Sequence, residues 1–258
     1  MRSFLNKITS NFMNMTHEEY VTRLERHGKA GLKVLDAADK NDLEGVTPAG
    51  MRALYRAKNK SPNVSYLVTG FCNWEIYSSI MKCLIEHLNL DQPRSVLELG
   101  CDNGMLTLCM AEQWPKSKFF GIDRESISID VAKRISNKYS EQKVGYRKVD
   151  LCSPNTCEKL PEFDLIIAPF IFHEIIKFEQ NLEALVYNLK QISALGAQLV
   201  SFDRFPHPEL QLPNLDRILE MAEFQRTSGT EIETSLESFP ASFYRKLHKN
   251  EAKIDRIC

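Results

Sequence analysis

The residues whose types and spacing can do chemistry begin with an acid inside an apolar run. Val96-Leu97-Glu98-Leu99 leads directly into Gly100, and Gly104 follows after Cys101, Asp102 and Asn103. Glycines across a strand-to-helix turn let backbone approach a ligand closely and leave helix N–H groups free to meet it. Asp123 stands nineteen positions after Gly104, at the end of a second β-rich run. A carboxylate there can accept hydrogen bonds from both ribose hydroxyls of a nucleoside. Asp150 ends a third such run. In neighbouring parallel strands the turn and all three acids emerge at one sheet edge and converge on one crevice. Taken singly, a GxxxG turn is more often α/β punctuation and an acid at a strand end is more often a solvated loop residue. Their recurrence at three successive strand ends carries the reading.

A second chemical candidate is His173, the one histidine between Arg94 and Phe205. Its ordinary pKa suits proton transfer near neutrality, as a general base or as a partner that orients an acceptor hydroxyl. A histidine packed at a helix start against a backbone partner fits the same position. Glu174 complements the N-terminus of the helix expected there rather than catalysing.

The elements that must position these residues fall into two regimes. Residues 1–92 show helical periodicity with almost no strand-like run, and are expected to form a helical cap or lid. Tyr20, Leu24, His27, Leu32 and Leu35 lie near helical spacing, with Gly28 or Gly31 as an interruption. Thr47-Pro48 reads as an N-cap and first helical position, and Asn73 as the cap of a helix with Ile76, Ile80, Leu84 and Leu88 on one stripe. Ser61 to Gly70 has the composition of a hinge.

Residues 93–258 alternate β-rich runs with amphipathic stretches, the pattern of a parallel α/β sheet. Strands are expected at 95–99, 118–122, 144–149, 164–168 and 197–202, with a long helix from about Glu174 to Ile192. Two terminal strands follow near 225–233 and 242–247. The fold class expected is a doubly wound, seven-stranded, mostly parallel sheet plus the N-terminal cap.

Composition narrows the function classes. Lys+Arg 33 against Asp+Glu 34 gives a net charge of -1. The split is 12 basic to 10 acidic in residues 1–92 and 21 to 24 in the remainder, so neither part carries a nucleic-acid binder's basic excess. The longest apolar stretch, Leu165 to Phe172, is far short of the roughly 20 residues that cross a bilayer as a helix. Seven cysteines without a CxxC, and Cys152 and Cys157 without a second Cys/His pair, point to a reducing cytoplasm and no metal site. Nor does Gly100–Gly104 meet the G-x-G-x-x-G dinucleotide fingerprint, and no P-loop, G-x-S-x-G or H-E-x-x-H occurs.

At the ELGCDNG turn, and over about residues 94–248, the chain resembles the class I S-adenosylmethionine-dependent methyltransferases. The resemblance implies that Glu98, Gly100, Cys101 and Gly104 shape the methionine end of a cofactor site. It also implies that Asp123, with Arg124 beside it in GIDRES, holds the ribose, and that Asp150 and Leu151 in KVDLC face the adenine. FDLIIAPFIFHEI is similar to the family's fourth strand and following loop, which puts Ala168 at the cofactor, and the two terminal strands would then be the family's terminal antiparallel hairpin. Many members have a glycine where this chain has Asp102, and a carboxylate there is unfavourable beside the cofactor's own unless it turns away.

By the same resemblance the acceptor meets the end of the fourth strand. The N-P-P-Y type motif of base- and amide-methylating relatives is missing, as is a metal-binding carboxylate at Ala168, which disfavours nucleic-acid bases, glutamine side chains and a catalytic metal. Phe170 and Phe172 either wall an apolar pocket or belong to the core. Tyr66, Phe71, Trp74 and Tyr77 offer a stacking surface for a planar substrate, or a helix–sheet interface. Arg52, Arg56, Lys58 and Lys60 either greet an acidic acceptor or form a solvated helix face. The function expected is methyl transfer from S-adenosylmethionine to an oxygen or nitrogen of a small metabolite by a monomer or homodimer, with neither nucleic acid nor membrane as partner. The rivals are a cofactor-binding regulator or scaffold without turnover, and a protein or RNA methyltransferase.

Overall fold

The computed structural model describes residues 4–43, 48–88, 93–178, 181–203, 212–235 and 238–247. Five helices come first: α1 (Phe4–Phe12), α2 (His17–Arg26), α3 (Lys29–Leu43), α4 (Pro48–Lys58) and α5 (Pro62–His87). The alternating part follows as β1 (Ser95–Leu99), α6 (Met105–Gln113), β2 (Lys118–Asp123), α7 (Ser126–Tyr139), β3 (Val144–Lys148) and β4 (Phe163–Pro169). The chain continues through α8 (Phe172–Phe178), α9 (Leu182–Ile192), β5 (Ser193–Phe202), α10 (Leu212–Met221), β6 (Phe224–Glu233) and β7 (Ser238–Lys246).

The seven strands form one sheet in the order β3-β2-β1-β4-β5-β7-β6. β1 to β5 pair in parallel, while β7 runs antiparallel to both β5 and β6. This is the doubly wound architecture expected. The order reverses beside β1, because β2 lies on one side of it and β4 on the other. A crevice outside the carboxyl ends of β1 and β4 is where open α/β sheets bind ligands.

Both faces of the central strands are covered, which is why they read as unbroken apolar runs. On β1, Val96 enters the core shared with the N-terminal helices, and Leu97 and Leu99 enter the core on the opposite face. That alternation turns Glu98 to the Val96 side, toward α6. β4 alternates likewise, with Leu165 and Ile167 on one face and Ile166 and Ala168 on the other.

The long helix α5 corrects two sequence expectations. Asn73 lies within it rather than capping it, and residues 62–70 are its first turns rather than a hinge. Pro62 takes the first helical position, where its missing N–H costs nothing, and Val64, Leu67 and Val68 are already buried there. The expected stripe holds: Ile76, Ile80, Leu84 and Leu88 are all buried. Each such side chain contributes about 1.5–3 kcal/mol by leaving water. Phe4, Ile8 and Phe12 of α1 join the same core as α5 and α6. Of the helical segment, therefore, at least α1 and α5 are continuous with the sheet's own core.

Other expectations shift. The helix expected from Glu174 to Ile192 is two: α9 starts afresh at an Asn181 cap, whose side chain accepts from the Ala184 N–H at 3.1 Å. The interruption near Gly28 is real, since this residue has φ 58° between α2 and α3. β5 begins at Ser193 and β7 at Ser238, both earlier than the sequence indicates, and α10 ends at Met221 before β6 begins at Phe224. Thr47 lies outside the described residues, as does the side chain of Arg52. Among the described residues no helix is long and apolar enough to cross a membrane.

Candidate functional site

The turn after β1 is held in a shape that two of its residues must be glycine to adopt. Gly100 and Gly104 have φ 69° and 74°. A Cβ at Gly104 would lie 2.5 Å from the Tyr146 hydroxyl, and one at Gly100 would lie 2.8 Å from Cδ1 of Ile171. The turn closes by a hydrogen bond from the Gly104 N–H to the Cys101 carbonyl at 2.7 Å, and the Cys101 N–H reaches back to Ile122 of β2 at 2.9 Å. Cys101 is itself buried against Gly121. Asp102, at φ 45°, occupies a left-handed conformation that Asp tolerates better than most side chains.

Glu98 is 2% exposed, and its Oε2 accepts a hydrogen bond from the Thr107 hydroxyl in the first turn of α6. Burial pushes its carboxyl up to about 8, against the Thr107 bond, and the nearby Asp102 and Asp123 charges push the same way. Between pH 4.5 and about 8 the folded chain therefore keeps a proton that the unfolded chain has lost. Stability falls as pH rises through that window, by at most about 1.4 kcal/mol per pH unit from this group. Glu98→Gln is expected to flatten the decline in melting temperature between pH 5 and 8. A slope identical to that of the parent chain would remove Glu98 as its source.

Asp123 ends β2 beside the turn. Its Oδ1 accepts from the Glu125 N–H at 2.8 Å and its Oδ2 from the Asp102 N–H at 3.0 Å. Burial raises its carboxyl to about 6 against the pull of those two N–H groups, and the Asp102 and Glu125 charges add to the rise. Each oxygen keeps a further lone pair. Arg124 follows in the same turn, half-buried. Past β3, Asp150 is half-buried and accepts from the Cys152 N–H and the Ser153 hydroxyl, both at 3.0 Å, while Leu151 is buried in the core behind it. The three acids and the glycine turn thus lie at the carboxyl ends of β1, β2 and β3.

The acceptor candidates separate. Phe170 leaves β4 at φ 55°, half-buried, its ring edge-on to Phe239 with centroids 5.0 Å apart. Phe172 is fully buried in the core, and so is Ala168. Ile171 between them packs over Gly100. Tyr77 on α5 is raised well above the ordinary tyrosine range, first by burial and then by the charges of Asp102 and Glu98. Tyr77 and Trp74 are both half-buried and pack on the core shared with the N-terminal helices. Tyr66 is not brought to the crevice; it stacks on Tyr139 at 4.8 Å and touches Phe4 and Phe12. Phe71 stacks on Tyr20.

His173 has a partner that sequence reasoning missed. Its Nδ1 lies 3.0 Å from Oδ1 of Asp203, and its backbone N–H donates to the same oxygen at 3.1 Å. Asp203 is 1% exposed, and its Oδ2 accepts from the Ser201 hydroxyl. A carboxylate at Nδ1 keeps that nitrogen protonated and leaves Nε2 as the ring's acceptor. The available signal was an acid one residue past a strand, β5, the same signal that singles out Asp123 and Asp150.

The basic cluster also divides. Arg56 pairs with Glu125 at 3.2 Å on the surface, and Lys60 is exposed. Lys58, 4% exposed, turns inward and pairs with Asp102. Sequence reading also missed Asn59, Asn103 and Ser128, the buried polar groups around that pair. Nothing in their spacing marks them, because they meet across segments far apart in the chain.

The comparisons agree with this geometry. Residues 90–229 match the family described as Methyltransferase domain. Trans-aconitate 2-methyltransferase of Pseudomonas paraeruginosa is 24% identical over 133 residues, 52% of this chain and 46% of that protein. (S)-Coclaurine N-methyltransferase of Papaver somniferum is 27% identical over 182 residues, 69% of this chain and 49% of that one. The chain thus spans about half the length of the curated relatives it matches. A crystal structure of a SAM dependent methyltransferase from Aquifex aeolicus superposes with a TM-score of 0.56 at 20% identity, over 72% of this chain and 99% of that one. The groups present fit S-adenosylmethionine, with acceptor lone pairs on a strand-end carboxylate for the ribose hydroxyls and a glycine turn that brings backbone close. By its sheet order, its glycine turn and the match over residues 90–229, the chain belongs to the methyltransferase domain family, with the class I S-adenosylmethionine-dependent fold.

Proposed function

We propose that the chain is an enzyme that methylates an oxygen or nitrogen of a small molecule. S-Adenosylmethionine, when bound, supplies a methyl group already activated by its sulfonium sulfur. The protein's tasks are then to align the acceptor, exclude water and hold a proton. In this reading Asp123 holds the ribose through its spare lone pairs, and the turn from Gly100 to Gly104 receives the remainder of the cofactor. His173 takes the acceptor's proton on Nε2, and Asp203 keeps the ring in the tautomer that can do so. Residues 93–258 carry the cofactor, and residues 1–92 cover the crevice and shape acceptor choice, with Tyr77 facing it from α5.

The observation that carries the proposal is the His173–Asp203 pair at the ends of β4 and β5. One buried carboxylate, itself held by Ser201, fixes both the backbone N–H and the ring of a partly exposed imidazole. A small-molecule acceptor agrees with the near-balanced charge and with the substrates named for the two relatives.

The test incubates the chain and its His173→Gln variant with methyl-labelled S-adenosylmethionine and a fractionated cell extract. Label is expected in the metabolite fraction, dependent on His173. Label in the protein or RNA fraction would replace the acceptor class. Cofactor binding without labelled product in any fraction would instead make the chain a non-catalytic binder.

A further inference from the structure

Asp102 is an acid of the turn with no evident use in holding a nucleoside, and the structure shows where its charge goes. Lys58 Nζ pairs with Oδ2, and the Asn59 side-chain amide donates to Oδ1 at 2.7 Å. Ser128 of α7 adds a longer bond of 3.4 Å to the same Oδ1. The ammonium is further held by the Thr69 hydroxyl at 3.2 Å and lies 4.5 Å from the centre of the Tyr55 ring. Asn59 is fully buried and spends its second N–H on Ser128 at 3.0 Å, while its carbonyl accepts from Ser65 at 2.7 Å. Asn103, equally buried, donates to Ser65 at 2.8 Å and Thr69 at 2.9 Å. The end of α4 and the first turns of α5 are thereby bonded to the turn after β1 through buried groups that converge on a partly exposed Asp102.

The position of the pair relative to a ligand follows from one bond. The Asp102 N–H donates to Asp123 Oδ2 at 3.0 Å, so the Asp102 backbone sits one hydrogen bond from the proposed ribose acceptor. Whatever extends from that ribose along β1 meets this turn. An unbalanced carboxylate there would repel an anionic ligand end in a poorly screened setting. Resting on the cofactor reading above, we infer that Lys58 is a specificity-determining residue supplied by the N-terminal segment. It neutralises Asp102 and so admits the cofactor's amino-acid carboxylate to the turn. The N-terminal helices thus complete the cofactor site as well as covering it.

The test compares two ligands by calorimetry. S-Adenosylhomocysteine carries the amino-acid end, and 5′-methylthioadenosine has the same nucleoside thioether without it. Lys58→Met is expected to weaken S-adenosylhomocysteine by about 10-fold or more and to leave methylthioadenosine within about threefold. Lys58→Met/Asp102→Asn, which removes both charges, is expected to restore S-adenosylhomocysteine to within a few-fold. Without ligand, the same double variant should recover part of the melting temperature lost in Lys58→Met. If Lys58→Met does not fold, Asp102→Asn alone decides: it leaves the lysine uncompensated and should bind S-adenosylhomocysteine at least as tightly as the parent. Equal losses for the two ligands, or a loss that persists in the double variant, would reduce Lys58 to a packing residue. An unchanged S-adenosylhomocysteine affinity in Lys58→Met would also overturn the inference. Failure of the parent chain to bind either ligand would instead refute the cofactor reading on which it rests.

Discussion

His173→Gln is expected to lower turnover by roughly 100-fold or more while cofactor affinity stays within a few-fold. The proton-accepting nitrogen is lost, but the residues that hold the cofactor lie on other strands. Asp203→Asn should reproduce part of this loss through a different route. A neutral amide can offer either its carbonyl or its NH2 to Nδ1 and no longer fixes one tautomer, so kcat should fall while cofactor affinity is kept. A simple packing defect would lower the amount of active enzyme and leave kcat per folded molecule unchanged. If His173 only positions the acceptor, the loss falls on KM. Wild-type kinetics for a folded His173→Gln enzyme across pH 6 to 9 would remove the residue from the mechanism and leave alignment as the main catalytic device.

Asp123→Ala should weaken cofactor binding by about 1.5–3 kcal/mol, the value of charge-assisted bonds to hydroxyls, or roughly 10- to 150-fold in Kd. The raised carboxyl adds a pH signature. Because burial lifts it to about 6, the better acceptor form is lost as pH falls through that value rather than near 4. Affinity is expected to decline below about pH 6 in the parent chain, and this component of the decline to be absent from Asp123→Ala. Titration of S-adenosylhomocysteine from pH 5 to 8 checks both statements. An unchanged affinity in a folded variant would place the ribose elsewhere.

The strands and the acids and glycine turn at their ends were legible in the sequence, for a local reason. A strand buried on both faces must be a short apolar run, and the residue that follows it lies at the sheet edge. Asp123, Asp150 and the turn from Gly100 to Gly104 could thus be located without knowing what packs around them. Asp203 obeys the same rule past β5 and was legible in principle. Phe170 and Phe172 show the limit: they are two residues apart, yet one is half-buried at the strand exit and the other is sealed in the core.

The sequence by itself determined the parallel sheet, the two terminal strands and the carboxylates at the strand ends, because periodicity and turn chemistry act over a few residues. Only the tertiary structure decided which N-terminal groups meet the site. Lys58 and Arg56 are neighbours on one helix with the same charge, yet one is buried on Asp102 and the other is paired at the surface with Glu125. Ser65 faces Asn103 while the adjacent Tyr66 turns to Tyr139, far along the chain. A helical stripe states that a face is buried, but not against what. The partner of a charge is set by which segment folds beside it, and nothing local specifies that.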